Sequence, residues 1–183
     1  MNSYQPVVRD EYQPVVTQDV LDLIASKSDE QRANRQMSTE VVDALKACGF
    51  YRMMLPKKWN GLEARPQEFF REQIRIAEAD MSTAWASGII AIHAFQLAMM
   101  SEQAQEEVYK DDPNTLISSS YNPVGAKAEA CEGGFMLSGR WGWSSGSGHC
   151  TWALLGGVVP GDGYRTFLVP RTQYVIEDTW HVM

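Results

Sequence analysis

Cysteine is scarce in this chain of 183 residues. Cys48, Cys131 and Cys150 lie far apart with no CxxC pair, which argues against a disulfide framework and against a zinc site. The three histidines, His93, His149 and His181, are equally scattered, so no metal is expected. Basic residues are in deficit: Lys and Arg total 16 against 23 Asp and Glu, a net charge of −7. Without a basic stripe, nucleic acid is a poor partner. An acidic surface of this size mainly confers solubility. The phosphate-cradling motifs GxxxxGK[ST] and GxGxxG are missing. No apolar core of signal-peptide type follows Met1, so the expected location is the cytoplasm, with no membrane partner.

What is present changes character near residue 112. The pattern is helical before it and made of strands and glycine turns after it, which predicts an α+β fold. The expected organisation is a loose N-terminal arm (1–16), an α-helical domain (17–112) and an antiparallel β-barrel or sandwich domain (113–183), left incomplete. QPVV at 5–8 recurs at 13–16, too little for a repeat architecture.

Local signals place the elements. Val20, Leu21, Leu23 and Ile24 give an apolar face to a helix from Thr17 to about Gln36, whose second half is polar and expected to be exposed. Ser38 caps a second helix with Val41, Val42, Leu45 and Cys48 as its buried stripe, and Gly49 suits the left-handed C-cap. Pro66 opens a third helix, with Phe70, Ile74 and Ala77 as its inner face. Ser82 is the expected N-cap of a fourth. From Met81 to Met100 no residue is formally charged. Ser82, Thr83, Ser87, Gly88, His93 and Gln96 interrupt that run, so it reads as a buried core helix rather than a membrane span. A short polar helix from Ser101 to about Lys110 follows. Strands are expected over 116–119, 126–131, 135–143, 152–159, 164–169 and 174–177.

Two polar segments at strand ends attract attention: Ser118-Ser119-Ser120-Tyr121-Asn122-Pro123, and Trp141-Gly142-Trp143-Ser144-Ser145-Gly146-Ser147-Gly148-His149. Taken singly, serines and glycines make loops and tryptophans fill cores. Together, hydroxyls and backbone N–H groups beside flat aromatic walls suit a planar ring with polar edges, such as a flavin. His93, in the middle of the uncharged helix, reads on spacing alone as a satisfied core residue. A buried imidazole can also hold or deprotonate a phenol.

These segments resemble the N-terminal part of the acyl-CoA dehydrogenase fold and, within it, the oxygenase components of two-component, flavin-dependent aromatic (phenol) hydroxylases. The matching stretches are GFYRMMLPKKWNGLE (49–63), STAWA (82–86), ISSSYNP (117–123), EGGFMLSGRWGWSSG (132–146) and DTWHVM (178–183). The resemblance runs from about residue 17 to the end. Acyl-CoA dehydrogenases carry a Thr-Glu-Pro-type loop where this chain has Ser120-Tyr121-Asn122-Pro123. They carry an Ile-Thr-Asn-type strand end where it has Trp143-Ser144-Ser145-Gly146. Both departures favour the hydroxylase branch.

The resemblance implies reduced FMN or FAD delivered by a separate flavin reductase, O2 as co-substrate, and ortho-hydroxylation of a phenolic substrate through a C4a-hydroperoxyflavin. It implies that Ser145 reaches flavin N5, that Trp143, Ser144 and Ser119 line the cofactor, and that His93, Ser119 and Trp85 bind the substrate. His93 and Ser145 are the implied catalytic residues. The family continues into a C-terminal four-helix bundle that builds a homotetramer. This chain resembles the N-terminal half only and is expected to be inactive alone. An acyl-CoA dehydrogenase-like flavin oxidoreductase and a non-catalytic binding or assembly module are the alternatives.

Overall fold

Among the described residues, the side chains of Ser38, Asp80 and Ser101 cap three of the five α-helices. The computed structural model describes residues 12–179. Residues 1–11 of the N-terminal arm and 180–183 of DTWHVM, His181 included, lie outside the described residues. Helix α1 (Gln18–Asn34) buries Leu21 and Ile24 and ends where Arg35 turns left-handed. Its polar second half also buries Gln31, against expectation. The Gln31 amide donates to Thr83 Oγ1 and accepts from Ser38 N, each at 3.0 Å, so a buried polar group is satisfied by two other segments. Helix α2 (Thr39–Ala47) is capped by Ser38, whose Oγ accepts from Val41 N, and buries Val41, Val42 and Leu45. Gly49 follows at φ 87°. Two single 3-10 turns, Phe50–Arg52 and Lys57–Trp59, lead to α3.

Helix α3 (Pro66–Ala79) presents a different face from the expected one. Phe69, Glu72 and Ile76 are buried, whereas Phe70 and Ile74 are exposed. The expected stripe fails because a charge occupies the inner row. Glu72 is fully buried. Its carboxylate accepts from Val15 N at 3.2 Å, Val16 N at 3.1 Å and Arg75 Nη1 at 2.8 Å, the pairing that a buried charge requires. Arg75 also donates to Val16 O at 2.7 Å. The segment before α1 is thereby fastened to α3.

Helix α4 (Met81–Ala98) is capped two residues earlier than expected: Asp80, not Ser82, accepts from Thr83 N. Thr83, Ala84, Ser87, Gly88, Ile90, Ala91, His93, Ala94 and Leu97 are buried. Met81, Trp85, Phe95 and Met99 are exposed, so α4 is buried on one face and open on the other. Among the described residues no helix is long and apolar enough to cross a membrane. Helix α5 (Glu102–Tyr109) is capped by Ser101.

Strands β1 (Ile117–Ser120), β4 (Trp152–Val159) and β5 (Gly163–Pro170) form one sheet in the order β1-β4-β5, and β2 (Lys127–Cys131) with β3 (Gly134–Ser138) forms a separate hairpin. The sheet is open and mixed. β4 and β5 pair antiparallel, but β1 and β4 pair parallel with Ile117 opposite Trp152. The connection 121–151, which holds the hairpin, is long enough to return the chain in the same direction. β3 stops at Ser138, where its partner strand starts at Lys127. Residues 174–177, expected as a strand, follow a 3-10 turn and have no ladder partner. One core cluster lies among α1–α4 around Ile24, Leu45, Phe50 and Ile76. The other joins Leu97, Val108, Ile117 and Leu154 from α4, α5 and the sheet. Helix α4 contributes to both, which places it between helices and sheet.

Candidate functional site

Side chains alternate along a strand, and in β1 that alternation divides the serines. Ser118 and Ser120 turn one way: Ser118 Oγ donates to Trp152 O at 3.4 Å, and Ser120 Oγ to Gly142 O at 2.6 Å. Ser119 and Tyr121 turn the other way, toward α4. The Tyr121 ring meets the edge of the His93 ring, with centroids 6.3 Å apart. The Tyr121 hydroxyl donates to Gln96 Oε1. The Tyr121 carbonyl accepts from the Tyr164 hydroxyl at 3.1 Å.

His93 is 2% exposed, and its Nδ1 lies 2.8 Å from Ile117 O. A carbonyl oxygen only accepts, so Nδ1 carries the hydrogen and Nε2 of the neutral ring carries a lone pair. Burial lowers the His93 pKa, and the Ile117 bond opposes the shift in part. The imidazole is therefore a neutral acceptor and base at Nε2.

The second polar segment is seated on α4 two turns earlier. Trp141 Nε1 donates to Gly156 O at 2.8 Å, which anchors the loop to β4. Gly146 lies against Ile90, so close that an added Cβ would stand 2.4 Å from Ile90 Cδ1. Trp85 Nε1 donates to Ser145 Oγ at 3.3 Å. Because the indole N–H is the donor, the Ser145 hydrogen remains available to another acceptor. Ser144 is half-buried, and its carbonyl accepts from Ser147 N. Trp143 has a left-handed backbone at φ 60° and an indole 87% exposed.

The structure thus brings Trp85 to Ser145, and His93 to Ile117 of β1 and to Tyr121 just after it. The two groups are about 12 Å apart along α4, from eight residues at the helical rise. Trp143 stands open, with no hydrogen bond or ring contact to the other described residues. Tyr121 and Gln96 were absent from the expected site. The period of two from Ser119 and the i+3 spacing from His93 were the signals that mark them. Gly142-Trp143-Ser144-Ser145-Gly146 also spells GxSxG. That motif needs a strand–turn–helix corner, whereas this segment lies in a loop that leads into the 3-10 turn Ser147–His149. It is not a nucleophile elbow. Two surface recesses lie elsewhere, one of about 400 Å³ against the α1–α2 connection around Gln31 and Ser38, the other of about 310 Å³ against Leu21 and Arg75.

Trp143 and the Ser145 hydroxyl suit a flat ring with a polar edge. The orientation of His93 suits a hydroxyl donor beyond it. No family model matches the chain. Curated relatives do. The oxygenase subunit HsaA of a flavin-dependent monooxygenase from Mycobacterium tuberculosis is 42% identical over 153 residues, covering 81% of this chain and 39% of that protein. The oxygenase component of an FADH2-dependent resorcinol hydroxylase from a Rhizobium species is 35% identical over 169 residues, covering 90% of this chain and 41% of the relative. Among solved structures, the 3-HSA hydroxylase from Rhodococcus sp. RHA1 superposes with a TM-score of 0.88 at 38% identity, over 93% of this chain and 46% of that one. The chain therefore spans less than half the length of these relatives. By sequence and by structure it is a homologue of the oxygenase components of flavin-dependent monooxygenases, with their acyl-CoA dehydrogenase-like fold over the part it spans.

Proposed function

We propose that the chain carries part of the active site of a two-component, flavin-dependent monooxygenase that hydroxylates a phenolic substrate in the cytoplasm. A helical unit (17–112) and a β unit (113–183) meet at that site. Reduced FMN or FAD comes from a separate reductase, and the full-length protein is a homo-oligomer. Reduced flavin, when bound, would supply the two electrons that activate O2, and O2 would supply the oxygen atom. The chain's own residues do the rest. Trp143 offers its open indole face to the flavin ring, with Ser144 and Ser119 at its polar edge. Trp85 flanks the substrate and donates to Ser145, which leaves the Ser145 proton for a ring nitrogen. His93 receives the phenol hydroxyl at Nε2 and takes its proton as the aromatic ring is attacked. One well-placed donor in a water-poor site has a large effect on a developing charge.

The observation that carries this reading is the Trp85–Ser145 hydrogen bond, which fastens GWSSG to the helix that holds His93. The names of the relatives favour a monooxygenase over an acyl-CoA oxidoreductase or a non-catalytic module. Reduced FMN and reduced FAD are each titrated into the chain under anaerobic conditions, with tryptophan fluorescence as the signal. Saturable binding is expected, weakened about tenfold by Trp143→Ala, which is about 1.4 kcal/mol. No saturable binding of either flavin would overturn the reading.

A further inference from the structure

Ser145 is entered from an open stretch of chain. A Cβ on Gly142 would meet nothing within 4 Å, and Trp143 is 87% exposed. The bond from Trp85 Nε1 to Ser145 Oγ is long, at 3.3 Å. Where Ser145 stands is therefore decided largely by the chain that leaves it.

That chain is wound into a turn. Ser147 N donates to Ser144 O at 3.2 Å, His149 N to Gly146 O at 3.0 Å and Cys150 N to Ser147 O at 3.1 Å. A turn bonded in this way moves as one piece. It is wedged on two sides: Gly146 lies against Ile90 of α4, and a Cβ on Gly148 would stand 2.9 Å from Gln36 Nε2. The imidazole of His149 ties it down. Its Nε2 lies 2.9 Å from Met37 O, 112 residues away in the chain. A carbonyl oxygen only accepts, so Nε2 carries the hydrogen. Gln36 Nε2, 3.4 Å from the same nitrogen, is a donor too and adds no bond. Beyond the turn, Cys150 is buried and Thr151 N donates to Leu116 O at 3.1 Å, at the start of the sheet.

We propose that His149 is a positioning residue for Ser145. Through Met37 O it fixes the turn from Ser144 to Cys150 against the α1–α2 connection, and so holds the Ser145 hydroxyl in place to donate to a flavin ring nitrogen. The inference rests on the flavin-binding reading above. A binding group must be held within about 0.5 Å of its working position by groups that do not themselves touch the ligand.

Reduced FMN and reduced FAD are titrated anaerobically into the 183-residue chain and its variants, with tryptophan fluorescence as the signal. His149→Phe keeps a ring and removes the N–H. It should weaken binding about fivefold, the weight of one hydrogen bond. His149→Gln returns an N–H at the distance of Nε2 and should restore binding to within about twofold, which loss of packing alone would not allow. In a Ser145→Ala background His149→Phe should cost less than about twofold, because its influence passes through the Ser145 hydroxyl. Far-UV circular dichroism identifies a variant that fails to fold. His149→Asn, whose N–H falls short of Met37 O, then takes the place of His149→Phe. Undiminished binding in the folded variant, an equal loss with and without the Ser145 hydroxyl, or a His149→Gln variant as weak as His149→Phe overturns the proposal and leaves the flavin site standing. No saturable binding of either flavin by the unaltered chain overturns the flavin-binding reading itself.

Discussion

A carbonyl oxygen cannot donate, and this alone decides which nitrogen of His93 faces outward. The partner is Ile117, 24 residues away, so no local pattern announces it. Burial lowers the pKa of His93 and of His149, whose Nε2 lies 2.9 Å from Met37 O. Both folded values lie below the ordinary 6.5. Between the folded and ordinary values the unfolded chain binds more protons than the folded chain. Their contribution to stability is thus complete above the ordinary value and is lost as pH falls through the folded ones. The urea midpoint should be level from about pH 7 to 8 and fall below about pH 6.5, and His93→Gln should shallow the fall. A midpoint that rises on acidification through this window would contradict the assignment. Trp143 is the other residue whose state is local. A left-handed backbone costs a side-chain-bearing residue about 1–2 kcal/mol. The tryptophan that bears this cost is also the most exposed of the large aromatic residues described.

At the scale of elements, β1 approaches β4 so closely that Gly156 has no substitute. An added Cβ would lie 2.0 Å from the Tyr121 carbonyl oxygen and 2.7 Å from the Tyr164 hydroxyl. The first is backbone and cannot swing aside. Gly156→Ala should cost about 3 kcal/mol, at the upper end for overpacking, and should displace the end of β1 that holds Tyr121. Gly142→Ala, where a Cβ meets nothing within 4 Å, should stay within about 0.5 kcal/mol. Chemical denaturation of the pair measures the contrast, and equal costs would mean that β1 is not held against β4 in this way. Several elements were legible in advance. The cap at Ser38 stands where a hydroxyl precedes an apolar period, and the apolar run 152–159 is β4 with the expected bounds. The inner face of α3 was not legible. Glu72 sits in the buried row between Phe69 and Ile76, and a carboxylate there is tolerated only because backbone N–H groups from residues 15 and 16 reach it.

For the molecule as a whole, the uncharged helix is half-covered. Met81 and Trp85 on α4 are 68% and 65% exposed, and Phe70 and Ile74 on the neighbouring α3 are 56% and 60% exposed. Large apolar residues this exposed on two packed helices mark a surface suited to association. The isolated chain should bind a hydrophobic fluorescent dye and show a sedimentation coefficient that rises with concentration. Phe70→Ser combined with Ile74→Lys should reduce both. A dye-silent chain that sediments as a monomer at every concentration would show that this surface does not drive association. The exposure also sharpens the expectation of a wholly buried core helix. Absence of charge along α4 required a partner for the helix, and within the described residues α3 and the sheet cover one face of it.

The sequence by itself determined the elements that depend on neighbours a few residues apart: most helix starts, the glycine C-cap after α2, β4 and its hairpin turn. It also carried the motifs that mark a relative of flavin-dependent hydroxylases. The tertiary structure alone decided the direction of the hydrogen bonds at the site and which charge is buried. Those depend on partners 24 residues apart for His93, 56 for Glu72 and 60 for Trp85. Such pairs meet only when α4 is laid between the helices and the sheet. Whether a serine or an imidazole gives or takes a proton is set by the group it meets there, not by the residues beside it in the chain.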